Sequence, residues 1–265
     1  PLPVWLEARA GIAVTGINPL IRLKETGSTN AWAKAHLDAF GPVGAVYTTS
    51  QTAGRGRRGH SWTNAAGQAL YYTAVLQLPL ADPAALPLYA SLAVAGALRD
   101  RYGARCQIKW PNDLLLNGKK IVGILCESVS APTPGGPRAV LCGIGINLAQ
   151  PAEYFAAAGL PHATSLALEG LPVDPAADAD ALARTLTDFA FDRDLYAFER
   201  EGFGAVRPAY RAACVNLGRR VQYDGGCGVA VDVDEQGRLV VQEEGGGAVR
   251  VFTGEVHVTG IYGAL

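Results

Sequence analysis

Cysteine, histidine and methionine are scarce in this chain, and their scarcity removes several chemistries at once. The five cysteines (Cys106, Cys126, Cys142, Cys214 and Cys227) are odd in number and show no C-x-x-C pair. They spell out neither a disulfide framework nor a thiolate metal site. Three of them sit inside apolar runs, which reads as buried free thiols in a reducing cytoplasm. The four histidines (His36, His60, His162, His257) fall at no ligand spacing, so no zinc site is expected. Methionine is absent and the chain opens on Pro1. No stretch approaches the roughly eighteen uninterrupted apolar residues of a membrane span. No charged-then-apolar leader stands at the start. Neither sign of charge is in excess: 23 Lys and Arg against 24 Asp and Glu leave −1. The whole molecule therefore has no field that would draw it to DNA or to an acidic bilayer.

What is present is ordinary globular material with one unusual concentration. The chain has 265 residues, 49% hydrophobic and 18% charged, enough for one large domain with a real core and a second, small one. Positive charge gathers in residues 54–62, Gly-Arg-Gly-Arg-Arg-Gly-His-Ser-Trp. Gly54, Gly56 and Gly59 let the backbone turn sharply and come close to a ligand. Arg55, Arg57 and Arg58 add planar, permanently charged forks, and Trp62 closes the run with a flat face. The glycines match G-x-G-x-x-G, yet a dinucleotide fingerprint should open a helix and meet an acidic residue about 20 positions on. Here a strand-like segment follows, and no Asp or Glu appears before Asp82. No Gly-Lys-Ser/Thr ends the run, so it is not a Walker A loop. A solvated basic surface loop and a nucleic-acid patch remain as alternatives at this point.

Residues 1–20, with Pro1, Pro3 and Pro19, are too few for a helix-turn-helix module. Residues 21–23 read as a short strand, and Ser28 or Thr29 as the N-cap of a helix over 31–40. Residues 43–49 are rich in β-formers and deliver residues 50–53 into the glycine–arginine loop. Residues 68–78 alternate as the next strand. After a turn at 79–87, Leu88, Leu92, Ala95, Leu98 and Tyr102 form a helical stripe that Gly103 stops. Asn117-Gly118 between apolar runs predicts a hairpin. Pro111 should interrupt pairing upstream and leave Asn112 and Asp113 on a bend. That places Lys109 and Lys120 on opposite arms with a carboxylate between, unless this is simply an edge hairpin guarded by lysines. Residues 131–137 read as a connector. Alternate glycines in Gly143-Ile144-Gly145 suggest close approach to a strand over 138–147, or simply tight packing. Residues 175–201, capped by Asp174, read as a supporting helix with Leu182, Leu186, Phe189, Leu195 and Phe198 inward. From Gly218 onward, short strands at 220–223, 229–233, 239–242, 249–253 and 256–259 describe a small β-barrel.

Arg55, Arg57, Arg58, Lys109, Lys119 and Lys120 come with few acids among them, and no Ser-His-Asp, Cys-His or paired-carboxylate set accompanies them. Such an inventory suits a reaction whose difficulty is charge, such as activation of a carboxylate by ATP, where two anions must meet and pyrophosphate must leave. Ser28-Thr29-Asn30, residues 51–59 (Gln-Thr-Ala-Gly-Arg-Gly-Arg-Arg-Gly), residues 109–113 (Lys-Trp-Pro-Asn-Asp), Lys120-x-x-Gly123-Ile124-Leu125 and residues 143–147 (Gly-Ile-Gly-Ile-Asn) occur in that order. Together they resemble biotin–protein ligases, over nearly the whole chain and including the terminal Thr253-Gly254-Glu255-Val256.

The resemblance implies an α+β fold: a mixed β-sheet flanked by helices, like the class II aminoacyl-tRNA synthetase and biotin–lipoyl ligase catalytic domains, over residues 1–217. An SH3-like barrel would follow over residues 218–265. It implies biotin and ATP as substrates with Mg²⁺, biotinyl-5′-AMP as the intermediate, and a lysine of a biotin carboxyl carrier protein as acceptor. By motif, Ser28, Thr29, Asn30 and Gln51 would bind the biotin rings, and Gly54, Arg55, Gly56 and Arg57 would close over biotin and the adenylate. Gly123 and Gly143 would line the biotin cleft. Lys120 would bridge the biotin carboxylate and α-phosphate. Arg57, Arg58, His60 and Lys109 would bear on the phosphates, Trp62 would pack on adenine, and Asn147 would contact the nucleotide. Asn112 and Asp113 would sit near Mg²⁺, and Asp113 would help deprotonate the incoming lysine. Relatives often carry a basic residue where His60 stands. A neutral imidazole there would make adenylation pH-sensitive near its ordinary pKa of about 6.5. Some relatives add an N-terminal DNA-binding module, and the short start argues against operator binding here. A sheet edge could pair two copies across a two-fold axis. A lipoate ligase is the nearest alternative.

Overall fold

The computed structural model describes residues 18–59, 61–63, 65–130, 137–252 and 254–261. In chain order the large sheet begins with β1 (Leu20–Arg22), α1 (Thr29–Ala35) and β2 (Val43–Thr48). A two-stranded hairpin of β3 (Gly54–Arg55) and β4 (Ser61–Trp62) precedes β5 (Ala69–Leu76), α2 (Leu86–Tyr102), β6 (Gln107–Lys109), β7 (Asp113–Leu116), β8 (Lys119–Ser130) and β9 (Pro137–Asn147). The sheet order is β1-β2-β5-β9-β8-β7-β6. Only β1 and β2 run parallel; every other neighbour is antiparallel, so the sheet is mixed.

Helices cover both faces. On one, Ala33, Leu37 and Phe40 pack with Val46, Val75 and Leu141. On the other, Leu86, Tyr89, Val94 and Leu98 pack with Tyr72, Ala74 and Ile144. All eight residues of β5 are consequently buried; its apparent alternation does not mark a solvent face. α2 begins at Leu86 with proline in its first turn and stops at Gly103, whose φ is 71°. It buries more of its circumference than a single stripe, with Tyr89, Ala90, Ser91 and Val94 inside and Leu92, Ala95 and Tyr102 only half-buried.

Asn117 and Gly118 turn the β7–β8 hairpin with φ of 50° and 79°, as both residue types tolerate. Lys109, however, is not on an arm of that hairpin. It ends β6 and pairs with Asp113, the first residue of β7, so Asp113 lies in the sheet rather than on a bend. The Asn-Gly hairpin is likewise not at the edge, since β6 lies outside it.

After β9 come α3 (Ala152–Ala157), α4 (Pro175–Thr185), α5 (Leu195–Glu201) and α6 (Arg207–Ala213). Asp174 caps α4 by accepting from Ala176 N and Ala177 N. Residues 175–201 are nevertheless not one regular helix. A π-helical stretch, Leu186–Arg193, separates α4 from α5. Its wider turn shifts the helical phase, leaving Phe189 44% exposed while Ala190 and Phe191 go inside.

The chain ends in a second antiparallel sheet of β10 (Arg220–Tyr223), β11 (Gly226–Val233), β12 (Leu239–Glu243), β13 (Ala248–Val251) and β14 (Val256–Val258), ordered β13-β12-β11-β10-β14. Val221, Ala230, Leu239, Val241 and Val258 belong to the same buried cluster as the main sheet. Trp110 Nε1, just beyond β6, donates to Gly237 O at 2.9 Å, and Arg207 Nε of α6 to Val233 O at 2.7 Å, fastening the second sheet to the first and to α6. All five cysteines are free thiols, but only Cys142 and Cys214 are buried, and Cys227 is exposed. No helix among the described residues is long and apolar enough to cross a membrane.

Candidate active site

A cleft of about 530 Å³ opens over the β8–β9 side of the main sheet, within the size range of small-molecule sites. One end is neutral and rich in hydrogen bonds. Ser28 caps α1, its Oγ accepting from Ala31 N at 3.4 Å, so the capping role and a place in the cleft coincide. Thr29 N donates to Gln51 Oε1 at 2.9 Å. Thr73 Oγ1 lies 2.9 Å from Thr29 Oγ1 and 2.7 Å from Asn30 Oδ1. Thr73 has one hydroxyl proton and the amide oxygen can only accept, so that proton goes to Asn30. Asn30 Nδ2 then donates to Leu125 O at 3.2 Å and Glu127 Oε2 at 2.7 Å. Ser28, Thr29, Asn30 and Gln51 are all buried. They form a rigid, uncharged and directional surface.

The glycine–arginine run is the wall across the cleft. Gly54 pairs with Trp62 and Arg55 with Ser61. A Cβ on Gly54 would lie 2.5 Å from Trp62 O and 2.6 Å from Gln51 Nε2, so only glycine allows that approach. The Trp62 ring lies over Gly123 and Gly145; a Cβ on Gly145 would come 2.7 Å from the indole. Close approach to the glycine strand is therefore real, and the approaching groups are the chain's own Trp62 and, at Gly143, Asn30.

At the opposite end the cations converge, and acids remote in sequence come with them. Arg57 Nη1 donates to Asn112 Oδ1 at 3.0 Å and Arg58 pairs with Asp224 in the β10–β11 turn, while Arg55 Nη2 reaches back to the Asn30 end and meets Glu127 Oε2 at 3.0 Å. Lys120 Nζ lies 2.7 Å from Asp113 Oδ1 and 5.5 Å from the centre of a Trp62 ring. The expectation of cations with few acids thus fails in three dimensions. Burial pushes the Arg57 guanidinium below its usual pKa, against the pull of Asp113. Lys109, 8% exposed, is also lowered, first by burial, with Asp113 opposing and Lys120 adding to the shift.

Of the residues singled out from sequence, Ser28, Thr29, Asn30, Gln51, Arg55, Gly56, Arg57, Arg58, Trp62, Lys109, Asn112, Asp113, Lys120, Gly123, Gly143 and Asn147 line this one cleft. Gly54 backs it, whereas Lys119 is exposed outside it. His60 and Thr253 lie outside the described residues. Both ends of the Asn147 amide are engaged by protein: Nδ2 donates to Thr164 O and Oδ1 accepts from Gln150 Nε2. Tyr154, the loop 159–163 and Glu255 and His257 of the second sheet complete the lining. Glu127, Thr73 and Tyr154 were missed. Glu127 had a signal, since it shares the strand face of Gly123 and Leu125 at a period of two; the 159–163 loop had none.

The same geometry tests a protein-held metal. Among the described residues, no three His, Cys, Asp or Glu side chains gather closely enough to hold an ion. Asn112 Oδ1 faces Arg57, and Asp113 Oδ1 faces Lys120. A dication there would have to displace two cations, so these residues do not fit a resident Mg²⁺.

Residues 20–147 match the biotin/lipoate A/B protein ligase family. The chain is 34% identical over 236 residues to a biotin–[acetyl-CoA-carboxylase] ligase of Paracoccus denitrificans, covering 84% of this chain and 94% of that one. The chain belongs to the biotin–protein ligase family. A ligase of the same description from Mycobacterium tuberculosis is 33% identical over 260 residues, covering 92% and 90% of the two chains. Among solved structures, a biotin protein ligase from Aquifex aeolicus in complex with biotin and ATP superposes with a TM-score of 0.71 at 27% identity, covering 91% of this chain and 98% of that one. As a member of this ligase family, the chain has its glycine–arginine hairpin and its 109–125 segment on two walls of a single cleft.

Proposed function

We propose that this protein joins biotin to ATP through the biotin carboxylate, forming biotinyl-5′-AMP and pyrophosphate. It then moves the biotinyl group to a lysine of a biotin carboxyl carrier protein. The observation that carries the reading is the cleft's division into a hydrogen-bonding end, where Glu127 balances the charge of Arg55, and a cationic end. An uncharged ring system suits the first, and a carboxylate meeting a triphosphate needs the second.

In the first step a carboxylate oxygen attacks the α-phosphorus, a P–O bond forms, and pyrophosphate leaves. Lys120 would bridge the two reacting anions, while Arg57, Arg58 and Lys109 would face the departing charge. One cation about 4 Å from an anionic oxygen is worth on the order of 4 kcal/mol at an effective dielectric near 20. Two or three such cations would supply much of an ordinary enzymatic rate enhancement. Ser28, Thr29, Asn30 and Gln51 would hold the biotin rings, with Gly123 and Gly143 beneath, and Trp62 and Asn147 would border the nucleotide. In the second step the lysine amine would attack the acyl carbon and AMP would leave, and Asp113 would take up the ammonium proton. Mg²⁺ would enter as part of the nucleotide substrate, and no step here is routed through it.

Residues 1–217 would form the catalytic part, related to class II synthetase-like domains, and residues 218–265 an SH3-like barrel. The division would follow the two larger sheets, with one buried cluster shared between them. A cytoplasmic site of action matches the carrier substrate. The test is pyrophosphate release from ATP with and without biotin. Release should require biotin and should not follow when lipoate replaces it; release with lipoate alone would refute the assignment.

A further inference from the structure

Glu127 joins two walls of the cleft that the reaction itself does not require to be joined. Its Oε2 accepts from Asn30 Nδ2 at 2.7 Å and from Arg55 Nη2 at 3.0 Å. The first contact is rigid. Thr73 fixes the Asn30 oxygen, so the amide nitrogen has to face Leu125 O and Glu127. The second reaches the hairpin that carries the glycine–arginine run. One carboxylate oxygen thus ties the hydrogen-bonded floor to the lid.

We propose that Glu127 is a positioning residue whose charge draws Arg55 across the mouth of the cleft and so sets how tightly the lid closes over biotin. This rests on the biotin–AMP reading above. Biotin carries its charge on the carboxylate at the far end of its chain, and its rings are neutral. At the Asn30 end, therefore, the counter-charge for Arg55 has to come from the protein. The side chains of Arg55 and Glu127 are 50% and 31% exposed. A pair so open to water is weak and screened by salt, which suits a latch that must release on every turnover. A neutral amide at 127 would still accept from Asn30 but would not hold a guanidinium by charge.

The experiment uses Glu127→Gln, Arg55→Ala and the double variant in the full chain, with thermal melting and biotin-dependent pyrophosphate release. Glu127→Gln should melt like the parent and raise the KM for biotin about two- to fivefold, the range of a partly exposed charge pair. The KM for ATP and kcat should move little. Arg55→Ala, whose side chain also lines the cleft, should raise the KM for biotin at least as much, and the double variant should be no worse than Arg55→Ala, because Glu127 acts through that guanidinium. Added salt should raise the parent's KM for biotin more than that of Glu127→Gln. Additive losses in the double variant, an unchanged KM for biotin, or a joint fall in melting temperature and kcat would each overturn the latch. If the parent itself releases no pyrophosphate with biotin, the underlying function fails, and the latch with it.

Discussion

Lys109 shows what a single residue gives up to serve this cleft. Its ammonium is buried, and burial lowers its pKa despite Asp113 and Glu255. The unfolded chain, with an ordinary lysine, therefore binds more protons in the interval between the two pKa values, and stability rises with pH there. Below the folded pKa the full cost of a buried charge is present; it is relieved as pH climbs through that value. Lys109→Met should consequently melt above the parent at neutral pH, with the difference narrowing toward about pH 10. Its adenylation rate should fall by roughly a hundredfold. Melting curves at a series of pH values, together with pyrophosphate release, check both; a pH-independent gap would contradict the burial argument. At this scale the sequence was informative about cations and blind to their partners. Arg55, Arg57 and Arg58 stand together in the chain, so their chemistry is local and legible. Glu127, Asp224 and Glu255 lie far along it, and only sheet pairing brings them to the same place.

Among the elements, the β3–β4 hairpin is positioned by what it rests on. Trp62 occupies a notch made by two glycines on adjacent strands, Gly123 and Gly145, which are register partners. A valine at 145 would fill that notch. Gly145→Val should displace the indole, shift its fluorescence to the red in a chain compared against a Trp62→Phe control, and lower adenylation at least about tenfold. The melting transition should stay near that of the parent, and unaltered emission would show that the notch does not seat the ring. Element boundaries set by local signals were readable: the Asn117-Gly118 turn, the Gly103 stop and the Asp174 cap all depend on a few adjacent residues. What failed depended on distant packing. The alternation of β5 carried no burial information because helices cover both faces. The stripe through residues 175–201 lost phase where the helix widens at Leu186–Arg193.

Taken whole, the two larger sheets share one buried cluster, so the terminal strands cannot be an independent appendage. Trp110 is the joint: it is 1% exposed, its backbone N donates to Asn216 Oδ1, and its indole donates to Gly237 O. Trp110→Phe removes the indole bond and leaves Gly237 O unpaired, which should cost about 1–3 kcal/mol. A chain of this size should then melt lower by roughly 2–4 °C per kcal/mol, as a single transition by calorimetry. Two separated transitions would mean that the sheets unfold independently. The near-zero net charge also acquires a meaning at this scale. Arg55, Arg58 and Lys120 each have a carboxylate companion within the chain. Polyphosphates and nucleic acids meeting these three cations have to compete with the carboxylates already beside them. Entry is by exchange of counter-ions, open to a visitor that can engage several cations at once and send their acids back to water.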